Sequence, residues 1–241
     1  MANTKITTEA EALEAVRRNV WAIRDLDENL KTAKVCLEAV KKNYNALKDV
    51  PEKHKTIKLC LEAVRQDAWA LEYVPENLKT AELCLEAVKK NSEALQDVPE
   101  ALKTAEFYLK MVKQDGMALE RVPEEFKTAE LCLEAIRESS RGRWAFQYAP
   151  EFLKNHEFCL EAVKANGDTL EYVPDHLRTA DLCLAAIENS GGALQYVPVD
   201  LITTELCSKV KKGGHYKSDP FYNLRGEQRD KVEALLKENK Q

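Results

Sequence analysis

Seven prolines, Pro51, Pro75, Pro99, Pro123, Pro150, Pro174 and Pro198, follow one another at spacings of 24, 24, 24, 27, 24 and 24 residues. A chain punctuated at a fixed short period is a stack of one supersecondary unit, which excludes more folds than composition does. Asp27 takes the proline's place one period upstream, and a degenerate copy covers the N-terminus to Leu26, giving about nine copies with the first and last incomplete. Numbered from its proline, the unit reads P-E-x-L-K-T-A-E-L-C-L-E-A-V-K-x-N-x-x-A-L-x-x-V.

Each copy predicts two helices. Position 6 is Thr32, Thr56, Thr80, Thr104, Thr128 and Thr179, with Asn155 once, immediately before an apolar periodic run. Those side chains suit an N-cap, accepting a bond from a backbone N–H that the first turn leaves unpaired. Glu at position 8 and Lys or Arg at position 15 then complement the helix dipole. Position 17 (Asn43, Asp67, Asn91, Asp115, Asn166) suits a left-handed stop, a cap for the next short helix, or both. The second segment, as in Trp69 to Val74, spans one or two turns and is ended by the following proline.

Along the first helix, positions 7, 10, 11 and 14 share a face, and positions 9 and 13 widen it. A lone surface helix needs a narrower apolar stripe, so neighbours are expected on several sides. Position 10 is Cys36, Cys60, Cys84, Cys132, Cys159, Cys183 and Cys207, with Ala12 and Tyr108 in two other copies. Free cysteine behaves as a small, readily buried apolar group. Stacked helices place equivalent residues about 8–10 Å apart, whereas a disulfide needs Cα atoms within about 7 Å. A row at one position converges on no ion, so packing is the expected role and no metal or cofactor is assigned.

Two-helix units that cannot bury their own faces must stack. The expected fold is therefore all-α, an α-solenoid over residues 1–212 with a C-terminal cap or tail over 213–241. Copies such as ALEYVPENLKTAELCLEAVKKN resemble an uncharacterised helical repeat family of bacteria and some protists, a domain of unknown function, from about residue 6 to 207. That resemblance implies an all-α solenoid and supplies no activity. The period is also similar to leucine-rich-repeat variants that alternate an α-helix with a 3₁₀ segment.

The ends depart from the unit. Ser208 and Lys211 fall on the apolar face of the last copy, and Gly213-Gly214 is expected to stop its helix. Val232, Leu235 and Leu236 line one side of a further helix, read as a polar-faced cap or as a basic docking tail. The 27-residue copy carries an insertion, Ser139 to Arg143, expected as a loop or a basic contact.

Charge is uneven. Residues 71–207 carry 14 Lys+Arg against 25 Asp+Glu, which argues against broad contact with a phosphate backbone. The start lacks an apolar signal segment, no apolar run is long enough to cross a membrane, and seven cysteines are expected as reduced thiols, pointing to the cytoplasm. No phosphate-binding, nucleophile-elbow or zinc-protease motif occurs. His156 and Cys159 could share a helix face, but two ligands do not make a metal site.

The informative signal is variation between copies. Position 19 includes Trp21, Trp69, Met117 and Trp144, and position 23 includes Tyr73, Arg121, Tyr148, Tyr172 and Tyr196. Aromatic, Met and Arg side chains are enriched in interface cores. The same side chains could instead lean over the turn and seal adjacent copies. The expectation is a non-enzymatic protein-interaction scaffold binding a protein or peptide through this row. The alternative is a nucleic-acid-binding helical repeat protein, which needs stacking and basic groups along one row.

Overall fold

The computed structural model describes residues 6–138, 141–210, 224 and 226–238, except the side chains of Glu138, Leu236 and Glu238. Ser139, Ser140, the Gly213-Gly214 stop and most of the tail therefore lie outside the described residues. The protein is an all-α solenoid, with no strand among the described residues. It packs as two compact units, Met1–Phe107 and Tyr108–Gln241.

The α-helices are α1 Glu9–Arg18, α2 Ala33–Lys42, α3 Ile57–Gln66, α4 Ala81–Lys90, α5 Ala105–Gln114, α6 Ala129–Glu138, α7 Gly142–Ala145, α8 His156–Ala165, α9 Ala180–Asn189, α10 Thr204–Lys209 and α11 Gly226–Glu238. The ordinary copy has three helical pieces rather than two: a ten-residue α-helix, a six-residue 3₁₀ segment such as Ala68–Tyr73, and a one-turn 3₁₀ piece such as Glu76–Leu78. The extra turn follows the proline, whose fixed φ near −56° already lies close to helical values. In the first unit α1 packs on α2, α2 on α3 and α3 on α4, while the six-residue 3₁₀ segments stack on one another. In the second, α6, α8, α9 and α10 stack in order, and Gly167–Tyr172 packs on Gly191–Tyr196. Each unit therefore has an α layer and a 3₁₀ layer with the core between.

Capping makes these boundaries. Thr32, Thr56, Thr80, Thr104 and Thr128 accept from the backbone N–H three residues on, at 3.2–3.4 Å, and Asn155 does so at 2.9 Å. Thr179 is the exception, because its hydroxyl donates to Asp181 and lies 3.1 Å from His156 Nε2. Position 17 is not left-handed. Asn43, Asp67 and Asn91 are extended, with φ between −150 and −157°. One such residue ends the α-helix through its N–H and starts the 3₁₀ segment through its side chain, so no reversal is needed. Asn43 Oδ1 accepts from Asn45 N–H at 2.9 Å, for example.

The buried face of the first helix is also rotated from the expected one. In α3, Leu59, Cys60, Ala63 and Val64 (positions 9, 10, 13 and 14) are buried, whereas Ile57 at position 7 is 48% exposed. Position 7 is the first helical residue, and its side chain projects back past the helix end rather than onto a neighbour. All seven cysteines are buried free thiols, as packing requires. Burial pushes six of them, Cys207 excepted, up to about 11. Where Tyr108 replaces the cysteine, its ring packs 4.9 Å from that of Phe126.

Candidate functional site

In the 3₁₀ layer, positions 20, 21 and 24 turn inward, as Ala70, Leu71 and Val74 do. Position 18 joins them, since Ala68, Gly116, Gly167 and Gly191 are buried too. A 3₁₀ helix has about three residues per turn, so positions 18 and 21 eclipse on the inner side, 19 and 22 on the outer side, and 20 and 23 on the third. Position 23 is the last residue of the segment, as Tyr73 is of Ala68–Tyr73, and lies at its edge. Trp21, Trp69, Tyr73, Met117, Trp144, Tyr148, Tyr172 and Tyr196 are accordingly half-buried, and Arg121 is exposed.

In the first unit the row begins with a cation-lined tryptophan. The Arg24 guanidinium lies 4.3 Å and the Lys48 ammonium 5.7 Å from the centre of the Trp21 ring. Arg24 is held there by Asp49 at 3.0 Å, so two adjacent copies share the arrangement. Such contacts contribute about 0.5–1 kcal/mol at exposed sites. Trp69 and Tyr73 lie on one 3₁₀ segment further along. Burial, then the Glu72 charge, raises the Tyr73 phenol above its ordinary value.

The second unit draws three of the row's aromatics into a polar cluster. Arg143 stacks 4.9 Å from the Trp144 ring and reaches Glu171 at 3.9 Å. Tyr196 donates its hydroxyl to the same Glu171 at 3.2 Å. Burial first, and Glu171 second, push the Tyr196 phenol up to about 12, so it remains a donor at neutral pH. Tyr172 is raised by the same two causes, while a hydrogen bond from Trp144 works against the rise. Nearby, Ser190 donates to Asp168 at 2.7 Å. Met117 and Arg121 lie on Gly116–Arg121, and Tyr148 on Phe146–Tyr148. Both clusters can present an aromatic face together with fixed donors and acceptors.

The sequence reading missed the cation at position 5. The side chains of Lys31, Lys55, Lys79, Lys103, Lys154 and Arg178 are only 8–18% exposed. Each pairs with the position 2 carboxylate of its own copy, as Lys55 does with Glu52 at 2.8 Å. Several also donate across the copy to the carbonyl of position 23: Lys55 to Tyr73 O at 3.1 Å, Lys79 to Asp97 O at 2.8 Å and Arg178 to Tyr196 O at 3.1 Å. The 3₁₀ row is thus fastened from behind by a buried cation. Its signal was the refusal of position 5 to vary in sign, when other surface lysines give way to Gln, Glu or Ala.

Among the described residues, no group of three or more His, Cys, Asp or Glu is placed to hold a metal ion. Also among them, no helix is long and apolar enough to cross a membrane. The family model described as a domain of unknown function, DUF4116, matches residues 12–55, 32–79, 57–103, 80–127, 104–154, 128–178 and 155–202. No curated protein and no solved structure matches the chain.

Proposed function

The chain belongs to the DUF4116 family of repeated domains of unknown function, and from that premise we propose that it is a non-enzymatic scaffold whose 3₁₀ row binds a protein or peptide. One observation carries the reading. Copies agree where the 3₁₀ segment is buried, at positions 20, 21 and 24, and differ at positions 19 and 23, where large side chains remain half-open to solvent. A constant scaffold with a variable face is how stacked repeats select partners. Tyr and Trp with a fixed polar tip suit such a face, because they supply contact area at low entropic cost.

The test is affinity capture from native lysate with the full chain and two paired variants. Trp69→Ala with Tyr73→Ala should sharply reduce retention of whatever the full chain holds, since anchors of this kind typically contribute about 2 kcal/mol each. Its melting temperature should stay close to that of the unaltered chain. Charge reversal at Glu82 and Glu86, on the α layer, should change salt dependence more than retention. If the aromatic pair instead destabilises the fold by several kcal/mol, those residues seal neighbouring copies and the row is not the site. A salt-dependent shift with mixed-sequence RNA would favour a nucleic-acid partner.

A further inference from the structure

The last copy breaks the repeat at one place. Position 5 is lysine or arginine in every copy from Lys31 to Arg178, but Ile202 in the Pro198 copy. Ile202 is buried and has no side-chain donor. Arg178, one copy earlier, shows what that donor does. Its Nε donates to Val173 O at 2.9 Å and its Nη2 to Glu171 O at 3.2 Å, fastening the end of the preceding 3₁₀ segment. The carbonyls 24 residues on are those of Gln195 and Val197. Both are taken by Gln228 of α11, whose Nε2 donates to Gln195 O at 2.9 Å and to Val197 O at 2.7 Å. A neutral amide from outside the repeat therefore sits where the repeat places a guanidinium. One nitrogen serves two acceptors that Arg178 serves with two.

Gln228 forms part of the wall of an open cavity of about 590 Å³, whose lining also includes Asp175, Arg178, Tyr196 and Asp200. Arg178 pairs with Asp175 at 3.2 Å, so Asp200 adds a further negative charge to the lining. α11 is held over the site by contacts with α10 and with Val199–Leu201, and by burial of Leu224 and Val232.

We propose that this cavity binds the guanidinium of a partner's arginine, and that Gln228 holds the two carbonyls in the partner's absence. A guanidinium offers two parallel charged donors in a fixed fork, which matches two neighbouring carbonyls better than a single amide nitrogen does. Charge complementarity with Asp200 adds to this. Lysine is the poorer fit, because its single ammonium matches the position 23 carbonyl, as in Lys55 and Lys79, but has no planar fork for the other two carbonyls that Arg178 reaches. The inference stands on the end of the solenoid, and of the 3₁₀ row it involves only Tyr196 in the cavity lining.

The experiment titrates the full chain and its Gln228→Ala variant with N-acetyl-arginine amide and, as a neutral match in shape, N-acetyl-citrulline amide, followed by amide NMR. Removing the Gln228 amide should tighten arginine binding by about tenfold, the scale of a charge-assisted bond. The citrulline compound should bind neither protein. Asp200→Asn in the Gln228→Ala background should weaken arginine binding several-fold. Equal binding of both compounds, or no binding to a folded Gln228→Ala protein, overturns the proposal. Should Gln228→Ala fail to fold, Gln228→Arg decides. It places the repeat's own group on α11, and a higher melting temperature is expected, whereas an unchanged or lower one overturns the site. Arginine binding can fail while the Trp69 and Tyr73 variants still lose partner retention, so this site and the 3₁₀ row are tested separately.

Discussion

The two units share one way of starting a 3₁₀ segment, and the second departs from it at two joints. In the first unit, Asn19, Asn43, Asp67 and Asn91 each form a one-residue joint, and each side chain accepts from the N–H two residues on, at 2.9–3.1 Å. The second unit keeps this device at Asp115 and Asn166. It lacks it at the joint before α7, where Arg141 makes no side-chain cap, and at Ser190, whose hydroxyl has turned to Asp168. At the uncapped joint before α7 the backbone comes close instead, and a Cβ on Gly142 would lie 1.9 Å from Ile136 O. The capped joint at Asn166 is also tight, since a Cβ on Gly167 would lie 2.2 Å from Ala186 O. A polar cap and close backbone contact are therefore separate devices, which a joint can use singly or together.

What both units share sets the largest expected effect. Cys36, Cys60 and Cys84 in the first, and Cys132, Cys159 and Cys183 in the second, are pushed from 9.0 up to about 11 by burial. The folded thiols keep protons that the unfolded chain releases, so this contribution is complete below pH 9 and is lost as pH rises through about 11. Amide exchange across that range should show both units opening together. Alanine at Cys36, Cys60 and Cys84 should flatten the loss in the first unit only. A unit that outlasts the other by a full pH unit would break the equivalence of the two cysteine rows.

Glycine comes next. Gly142→Ala should cost about 3 kcal/mol or more in denaturant unfolding of the second unit, because the clash is with backbone and cannot be relieved by a rotamer. A cost below about 1 kcal/mol would show that the joint relaxes and that the close contact is incidental. The smallest effect separates the joints most cleanly. Asn91→Ala should cost about 1 kcal/mol as a lost cap. Ser190→Ala removes no cap bond and should cost less, with its effect read at Asp168. Equal costs would mean that both joints depend on the side chain after all.

Much of this was legible because the repeat supplies its own comparison. Threonine before each apolar run marked the α-helix starts, and the spread of position 10 over Cys, Ala and Tyr marked a packing site. The buried face was misjudged by one step, since periodicity finds an apolar stripe but not which edge of it meets the next copy. Lys55 and Lys79 were legible only as a charge that does not change sign between copies. Their burial depends on carbonyls 18 residues downstream, and backbone acceptors leave no mark in a sequence. Gln228 was hidden likewise, since it replaces Arg178's role from another element.

The one-residue joint has a consequence for how such a gene changes. Nearly every copy passes from its α-helix to its 3₁₀ segment in the same backbone state, through one extended residue. Misaligned recombination between two copies would then delete or add a whole unit and rejoin the chain in register, without a scar that needs repair. An insertion of another length must break the 24-residue register, as the 27-residue copy does. The joint at Gly142 belongs to that 27-residue copy, and there Arg141 makes no side-chain cap and a Cβ would meet Ile136 O. Length in such a chain would therefore change in whole units, each adding or removing one 3₁₀ segment of the row.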